Sequence, residues 1–281
     1  MLQLIVDAGS TKSHWALCQK GQILQEWTTA GMNPMTQSKH SIMAGLQSAY
    51  VQINQANIDQ IWFYGAGCIG QGAYQMTTFL RDQWPECQNL NVHSDLLAAA
   101  RAVCNKQPGI VAILGTGSNS AMSDGHHLTH QLPSLGYLLG DEGSASQICK
   151  QLLIEHYYGR LDAELSKLLV QKLPVPAQDY LAYLYSSPRI AYELASLFPF
   201  ILVHLDHPQV KAIASQSIRV FFQNRILIYL TQKEMPLHFA GSVAGELKDM
   251  IQSEALEFGF TESSFSKQIL PKLCHYHDET D

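Results

Sequence analysis

Two short segments combine glycine with hydroxyl side chains directly after apolar runs. DAGSTKS at 7–13 follows LQLIV, and GTGSNSA at 115–121 follows IVAIL. Glycine lets a turn come close to a ligand, and neighbouring N–H groups and hydroxyls can then donate hydrogen bonds to phosphate oxygens. A single turn of this composition is as often an ordinary hairpin. Two matched copies, related by aligning Gly9 with Gly117, favour binding of one triphosphate.

Three acidic residues stand where carboxylate chemistry would be useful. Asp7 ends the first apolar run, so it would either hold Mg²⁺ through water molecules or cap the turn. Asp95 ends NLNVHSD before the helical run LLAAARAV. There it would cap the helix or accept the proton of an attacking hydroxyl, a role worth roughly 10²- to 10⁴-fold in rate. Asp141 lies between glycines in LGYLLGDEGSASQ, which suits binding of vicinal sugar hydroxyls or the first turn of a helix.

Two segments nearer the carboxyl terminus hold further candidates. HFAGSVAGEL combines a strand pattern with small residues that would let a flat ring lie against the backbone: Ala240, Gly241, Ser242 and Ala244. CHYHD at 274–278 contains metal-ligating residue types, but without a second cluster at suitable spacing it is typical of a polar tail. The sequence contains neither G-x-x-x-x-G-K-[ST] nor G-x-G-x-x-G, which argues against P-loop and dinucleotide-binding folds.

The composition indicates a packed globular protein that acts on a small molecule. The 281 residues are 46% hydrophobic and 15% charged, with a formal net charge of −6. This acidic balance argues against nucleic-acid and membrane-surface partners. An acid at position 7 and no apolar stretch of membrane-spanning length predict a cytoplasmic protein. Without a C-x-x-C pair, six cysteines are expected to be reduced and mostly buried: Cys18, Cys68, Cys87, Cys104, Cys149 and Cys274.

The elements that must position these residues form a pattern that occurs twice. LQLIVDAG, SHWALCQ and GQILQEWTT are typical of a three-stranded antiparallel meander, followed by a helix from Ser38 to about Ile53. After KQPG at 106–109 the meander restarts, and the second half contains additional helices typical of an insertion. We therefore expect two related lobes, 1–107 and 108–281, each a mixed sheet flanked by helices, with a ligand cleft between them. The last helix is a candidate to return to the first lobe.

Three motifs resemble one known group over nearly the whole chain. D-A-G-S-T-K at 7–12, G-T-G-S-N at 115–119 and G-D-E-G-S-A at 140–145 are similar to motifs of the BadF/BadG/BcrA/BcrD ATPase family, which contains N-acetylglucosamine kinase. That family lies within the sugar kinase/Hsp70/actin superfamily. The resemblance implies an α/β fold of duplicated ribonuclease H-like (actin-like ATPase) domains, with mixed five-stranded sheets and an ATP cleft between the lobes.

The resemblance also implies roles for individual residues. Asp95 would be the catalytic base, Thr11 and Thr116 would contact ATP phosphates, and Asp7 would hold Mg²⁺ through water. The nucleotide-binding set comprises Asp7, Gly9, Ser10, Thr11, Lys12, Gly115, Thr116, Gly117, Ala240, Gly241, Ser242 and Ala244. The sugar-binding set comprises Asn33, Pro34, Ser118, Asn119, Gly136 and Asp141. At 133–137 this chain has P-S-L-G-Y where animal N-acetylglucosamine kinases have G-G-W-G-H, which leaves the exact sugar open.

The implied activity is ATP-dependent phosphorylation of a hydroxyl, the 6-hydroxyl, of N-acetylglucosamine or N-acetylmuramic acid, with Mg²⁺ and in a homodimer. One alternative from the same superfamily is an ATPase that activates a CoA-dehydratase through an iron–sulfur cluster, for which Cys104 and Cys149 would be the candidate ligands. Another is a sensor that binds sugar or nucleotide without turnover. ATP consumption with and without sugars separates these hypotheses.

Overall fold

The structure is a computed structural model that describes residues 1–53, 57–232 and 234–278. The chain forms two compact units. The first comprises Met1–Val111, Ala121–His130 and the segment that begins at Gln268, and the second comprises Ala112–Ser120 and Gln131–Lys267. The division into lobes 1–107 and 108–281 stays a prediction.

The first sheet confirms the predicted meander. Its strands are β1 (Leu2–Ala8), β2 (Lys12–Gln19), β3 (Gln22–Ala30), β4 (Gln60–Gly65) and β5 (Asn89–Ser94), in the order β3-β2-β1-β4-β5. The hairpin partners β1–β2 and β2–β3 are antiparallel, whereas β1–β4 and β4–β5 are parallel. The sheet is therefore mixed, as expected for strands joined first by turns and then by helices.

Alternation along β1 separates the core from the candidate chemistry. Leu4, Val6 and Ala8 belong to a buried cluster that also contains side chains of α1 (Lys39–Gln52) and α2 (Gln71–Gln83). Because successive side chains of a strand point to opposite faces, Asp7 lies on the other face of the sheet. The helix α3 (Asp95–Cys104) follows β5 and contacts β1, β4 and β5.

The second sheet repeats the first. Its strands are β6 (Gly109–Leu114), β7 (Ser118–Ser123), β8 (Leu128–Gln131), β9 (Leu237–Ala240) and β10 (Ser263–Ser266), in the order β10-β9-β6-β7-β8. In both sheets the first strand in the chain is central, with the second and third on one side and the fourth and fifth on the other. This shared order confirms that the two halves have the same architecture.

The additional helices lie between the third and fourth strands of the second sheet. In the first sheet that connection contains α1, whereas the described residues between β8 and β9 form seven α-helices. These are α4 (Gly136–Leu139), α5 (Ala145–Tyr157), α6 (Ala163–Val170), α7 (Ala177–Ser186), α8 (Ile190–Ala195), α9 (Phe198–Val203) and α10 (Pro208–Phe221). A π-helical segment (Phe222–Ile226) and a 3₁₀ segment (Leu227–Gln232) continue α10. After β9 come α11 (Ser242–Glu246) and α12 (Lys248–Glu257), and no helix of the described residues is long and apolar enough to cross a membrane.

The strand ends correct the alignment of the two glycine turns. Residues 9–11 join β1 to β2, and residues 115–117 join β6 to β7, so each turn has three residues. Gly9 therefore corresponds to Gly115 rather than to Gly117. The residue that corresponds to Asp7 is Ile113, so an acid stands at this position in the first copy alone.

The segment CHYHD is not a polar tail, contrary to the prediction. It belongs to α13 (Leu270–Asp278), where Cys274, Tyr276 and His277 are buried, and this helix contacts β1, β2, β3 and α3. The expectation of reduced cysteines is also wrong for one pair. Cys274 is joined to Cys18 of β2 in a disulfide, with a Cα–Cα distance of 6.3 Å. The four free cysteines are buried, as expected.

Candidate functional site

The first glycine turn is held together by backbone hydrogen bonds. The N–H of Gly9 donates to the carbonyl of Lys12 at 3.0 Å, and the N–H of Gly31 donates to the carbonyl of Thr11 at 3.0 Å. A side chain at Gly31 would collide with the carbonyl group of Ser10. Glycine is therefore needed where the end of β3 comes close to this turn.

The predicted sugar loop lies against the same turn. Asn33 Nδ2 donates to Ser10 Oγ at 3.3 Å, and the Oδ1 of the same amide accepts from the N–H of Met35 at 2.9 Å. The N–H of Met32 donates to the carbonyl of Gly9 at 3.2 Å. The structure thus brings Asn33, with Pro34 next to it, to the first phosphate-loop candidate.

Two carboxylates interact at the carboxyl edge of the first sheet. Asp7 is the second-last residue of β1, and Asp95 follows β5 as the first residue of α3. Removal from water and, as the smaller cause, the negative charge of Asp95 together raise the pKa of Asp7 to about 7. Ser94 caps α3, because its hydroxyl accepts from the N–H of Leu97 at 3.3 Å. Asp95 Oδ1 also accepts from the N–H of Leu96 at 2.9 Å, so this acid contributes to the start of α3 as well.

This acidic pair suits a hydrated magnesium ion. A cation beside Asp7 would favour its charged form against burial and the charge of Asp95. Mg²⁺ commonly uses one or two carboxylates, several waters and substrate phosphates. In the described ranges, no three His, Cys, Asp or Glu side chains are grouped as a protein metal site. The residues present therefore fit a magnesium ion that takes its remaining ligands from water and nucleotide.

In the second unit, the other glycine turn lies on the start of α5. The carbonyls of Gly115 and Thr116 accept from the N–H groups of Ala145 at 2.9 Å and Ser146 at 3.2 Å. These bonds satisfy two helix N–H groups that otherwise lack intrahelical partners. The segments G-T-G and G-D-E-G-S-A are therefore physically connected.

Asp141 packs directly against this second turn. Its Oδ1 accepts from the N–H of Ser118 at 3.2 Å, and a side chain at Gly117 would come within 2.8 Å of its Oδ2. Removal from water raises the pKa of Asp141, while the N–H of Ser118 opposes that shift. Asp141 has a left-handed backbone, φ 60°, and with Glu142 it precedes the cap of α5, Ser144. The alternative of an acid in the first turn of the helix is therefore wrong.

The segment predicted to hold adenosine also lies beside the second turn. Gly241 follows β9 with φ 109°, and a side chain there would collide with the carbonyl of Leu114, the last residue before the turn. Ser242 begins α11 and is exposed. Ala240 and Ala244 are both buried, and their contact with adenosine stays a prediction.

The arrangement has relatives among solved structures. The chain aligns with the crystal structure of a Porphyromonas gingivalis protein provisionally assigned as an N-acetylglucosamine kinase, at 34% identity over 98% of each chain and a TM-score of 0.92. The chain belongs to the N-acetylglucosamine kinase-like family of sugar kinases. No family model matches the sequence, and no curated protein matches it either.

More distant structures share the fold of this N-acetylglucosamine kinase-like chain. A second provisionally assigned N-acetylglucosamine kinase, from Chromobacterium violaceum, is 20% identical over 98% of this chain and 97% of that one, with a TM-score of 0.76. A ROK family glucokinase from Streptomyces griseus, solved with glucose and AMPPNP, is 13% identical over 99% of each chain, with a TM-score of 0.65. The fold is the predicted pair of ribonuclease H-like domains.

Three other predicted site residues of this kinase-family chain, Lys12, Gly136 and Ser118, differ in exposure and in local structure. Lys12 is an exposed residue at the start of β2. Gly136 begins α4, whose capping residue Gly140 directly precedes Asp141. The hydroxyl of Ser118 is enclosed, without a hydrogen-bond partner in the described part of the chain, so Ser118 contacts Asp141 through its backbone N–H.

Sequence reasoning missed Arg225. This buried residue donates from Nη2 to Asn119 Oδ1 at 2.6 Å, and its positive charge also acts on Asp141. An arginine within the apolar run RVFFQNRILIYL was the available signal, because a charged residue is seldom fully buried unless it is paired. Its partner could not be named, since Asn119 is 106 residues away in the chain.

Proposed function

We propose that this chain transfers the γ-phosphoryl group of ATP to the 6-hydroxyl of an N-acetylated amino sugar, N-acetylglucosamine or N-acetylmuramic acid. The observation that carries the reaction type is the acidic pair Asp7 and Asp95 beside a glycine turn. The substrate class is supported by the similarity to the Porphyromonas gingivalis protein.

In this proposal Asp95 is the catalytic base. Its carboxylate accepts the proton of the sugar hydroxyl as the oxygen attacks the γ-phosphorus and the bond to the β-phosphate oxygen breaks, releasing ADP. Residues of both glycine turns bind the ATP phosphates. Donors for those phosphates would come from 10–11 and 116–117 rather than from Gly9 and Gly115, whose N–H groups are used within the turns. Asp7 would hold Mg²⁺ through water, and the ion would supply positive charge to the phosphates.

The proposed sugar-binding residues are Asn33, Pro34, Asn119 and Asp141. An ionised carboxylate such as Asp141 accepts hydrogen bonds from vicinal hydroxyls. Ser118 and Gly136 would shape this surface through the backbone. Ala240, Gly241 and Ser242 would lie against the adenosine.

The deciding experiment measures ATP consumption and sugar phosphate formation with a panel of amino sugars and their parent sugars. We expect turnover that depends on an N-acetylated amino sugar, and we expect Asp95→Asn to lower kcat by at least about 100-fold. Binding of ATP should change little, because the substitution keeps the size of the side chain. The exposed Asp82→Asn on α2 is the matched control and should retain full activity.

Other outcomes favour other functions. Unchanged turnover in Asp95→Asn would remove that residue from the mechanism, and sugar binding without turnover would indicate a sensor. The iron–sulfur activator is disfavoured by Cys104 and Cys149. Both are buried among apolar groups that raise the thiol pKa, whereas a cluster requires thiolates. A brown colour of the purified protein would reverse that conclusion.

A further inference from the structure

Arg225 lies at the junction of two motifs that carry candidate sugar-binding residues. It belongs to the π-helical segment Phe222–Ile226, and its side chain is 5% exposed. Nη2 donates to Asn119 Oδ1 at 2.6 Å, and Nη1 donates to the carbonyl of Pro133 at 2.9 Å. The guanidinium therefore bridges G-T-G-S-N and the segment before α4. A buried arginine with this fork geometry holds its partners in one orientation.

Two further bonds join the same π-helical segment to β7 and to the motif G-D-E-G-S-A. Ser120 Oγ donates to the carbonyl of Arg225 at 2.8 Å. Asn224 Nδ2 donates to Glu142 Oε1 at 2.8 Å, next to Asp141. Short π-helical segments are uncommon within helices and often occur at functional sites. Here the segment supplies contacts from two successive residues to two different motifs.

These contacts define the orientation of the Asn119 amide. Oδ1 accepts from Arg225 Nη2 and also from the N–H of Ser120 at 2.9 Å. Because only the oxygen of an amide accepts hydrogen bonds, these two donors distinguish Oδ1 from Nδ2. The Nδ2 group donates to no residue in the described ranges and Asn119 is only partly buried, so the amide offers N–H donors.

We infer that Arg225 is a positioning residue for sugar recognition, which holds Asn119 so that its Nδ2 donates to an acceptor oxygen of the sugar. This inference rests on the proposed function. It assigns opposite roles to two neighbours, since Asn119 donates to the sugar while the Asp141 carboxylate accepts from it. A sugar that offers an acceptor and a donor on adjacent positions would satisfy both.

The first test is Arg225→Lys, with Arg219→Lys on α10 as the control. Lysine keeps the positive charge but lacks the planar fork that reaches Asn119 and Pro133 together. We expect the KM for sugar to rise at least about tenfold, with the KM for ATP within about twofold of the unmodified value. Arg219 is a half-buried partner of Glu254 and Glu257 on α12, outside the proposed site, so its replacement should change neither constant.

The second test is Asn119→Asp, which keeps a partner for Arg225 and replaces the N–H donors with an acceptor. We expect a similar loss of sugar affinity without a lower melting temperature, because the new carboxylate pairs with the buried guanidinium. In the double variant the two losses should not add, since both act through one amide. This variant decides the matter if Arg225→Lys fails to fold.

Two results would overturn the inference while leaving the proposed function intact. One is a normal KM for sugar in Asn119→Asp, and the other is an equal rise of both KM values in Arg225→Lys. If the unmodified chain neither binds nor phosphorylates any sugar of the panel, the proposed function fails, and the inference fails with it.

Discussion

At the level of single residues, the two copies of the fold have different chemistry. Both copies keep a three-residue glycine turn between their first two strands, but Asp7 has Ile113 as its counterpart. Phosphate-binding geometry can therefore be duplicated, whereas the acidic pair exists in one copy. Ionised Asp7 costs stability when no cation is present, because burial and the nearby charge of Asp95 both raise its pKa.

That cost predicts how Asp7→Asn alters stability with pH. The pKa of Asp7 is about 7 in the folded protein and near the ordinary value, 3.8, in the unfolded chain. Between these values the folded state binds a proton that the unfolded state has lost, so its stability falls as pH rises from about 4 to 7. At pH 8 and without Mg²⁺, Asp7→Asn should be more stable than the unmodified protein. The expected difference is on the order of 2 kcal/mol, which is less than the full pKa shift would give, because solvent reaches part of Asp7 and screens its charge.

Urea unfolding at pH 8, 6 and 4 measures this difference, which should shrink towards zero at the lowest pH. Asp82→Asn again serves as the surface control and should show little effect at any pH. A difference that stays constant with pH would contradict the explanation through charge.

At the level of elements, the site depends on connections that bring backbones unusually close. The link from β9 to α11 places Gly241 against the last carbonyl of β6, with φ 109° and ψ 170°. This conformation is open almost only to glycine. The strand that carries the predicted adenosine segment is therefore kept close to the second glycine turn by the absence of a side chain.

Gly241→Ala tests this contact, and Gly259→Ala is its matched control. Both glycines have positive φ, but space around Gly259 is open, with nothing within 4 Å of an added Cβ. Gly259→Ala should cost about 1 kcal/mol from backbone strain alone. Gly241→Ala should cost at least about 2 kcal/mol more in urea unfolding, because the methyl group also collides with Leu114. Equal losses would show that the close approach is unimportant.

At the level of the whole molecule, two sheets with one strand order carry separate parts of the proposed machinery. The acidic pair belongs to the first unit, and Asp141 with Arg225 belongs to the second. Ligands that bind only the folded chain stabilise it according to their concentration relative to Kd. The proposed function therefore predicts that nucleotide and sugar each raise the melting temperature.

A non-hydrolysable ATP analogue with Mg²⁺, at about 100 times its Kd, should add about 2.7 kcal/mol. For a chain of this size that corresponds to a rise of about 5 °C, measurable by thermal shift. An N-acetylated amino sugar should produce its own rise, whereas a sugar rejected in the activity assay should produce none. An unchanged melting temperature with every nucleotide would refute ATP binding.

The local features of this protein could be predicted because neighbouring residues create them. Alternating apolar residues and glycine turns indicated the strands of both meanders, and Ser38 and Ser94 cap α1 and α3 where helical patterns begin. The repeat of strand, turn, strand also indicated a duplicated fold. Asp7 and Asp95 were recognisable because each lies at the carboxyl end of a strand or directly after it, and the ends of parallel strands lie at one edge of a sheet.

Features that join distant parts of the chain needed the folded structure. Cys18 and Cys274 are 256 residues apart, and the polar letters of CHYHD gave no sign that His277 lies 2.7 Å from the Tyr64 hydroxyl. Gly9 corresponds to Gly115 because of where the strands end in each copy. The Gly-Ser pair that both motifs contain suggests instead an alignment of Gly9 with Gly117. Arg225 contacts Asn119 because the long insertion between β8 and β9 packs against β7. Such contacts join residues that are far apart in the chain, so the spacing of residues in the sequence does not predict them.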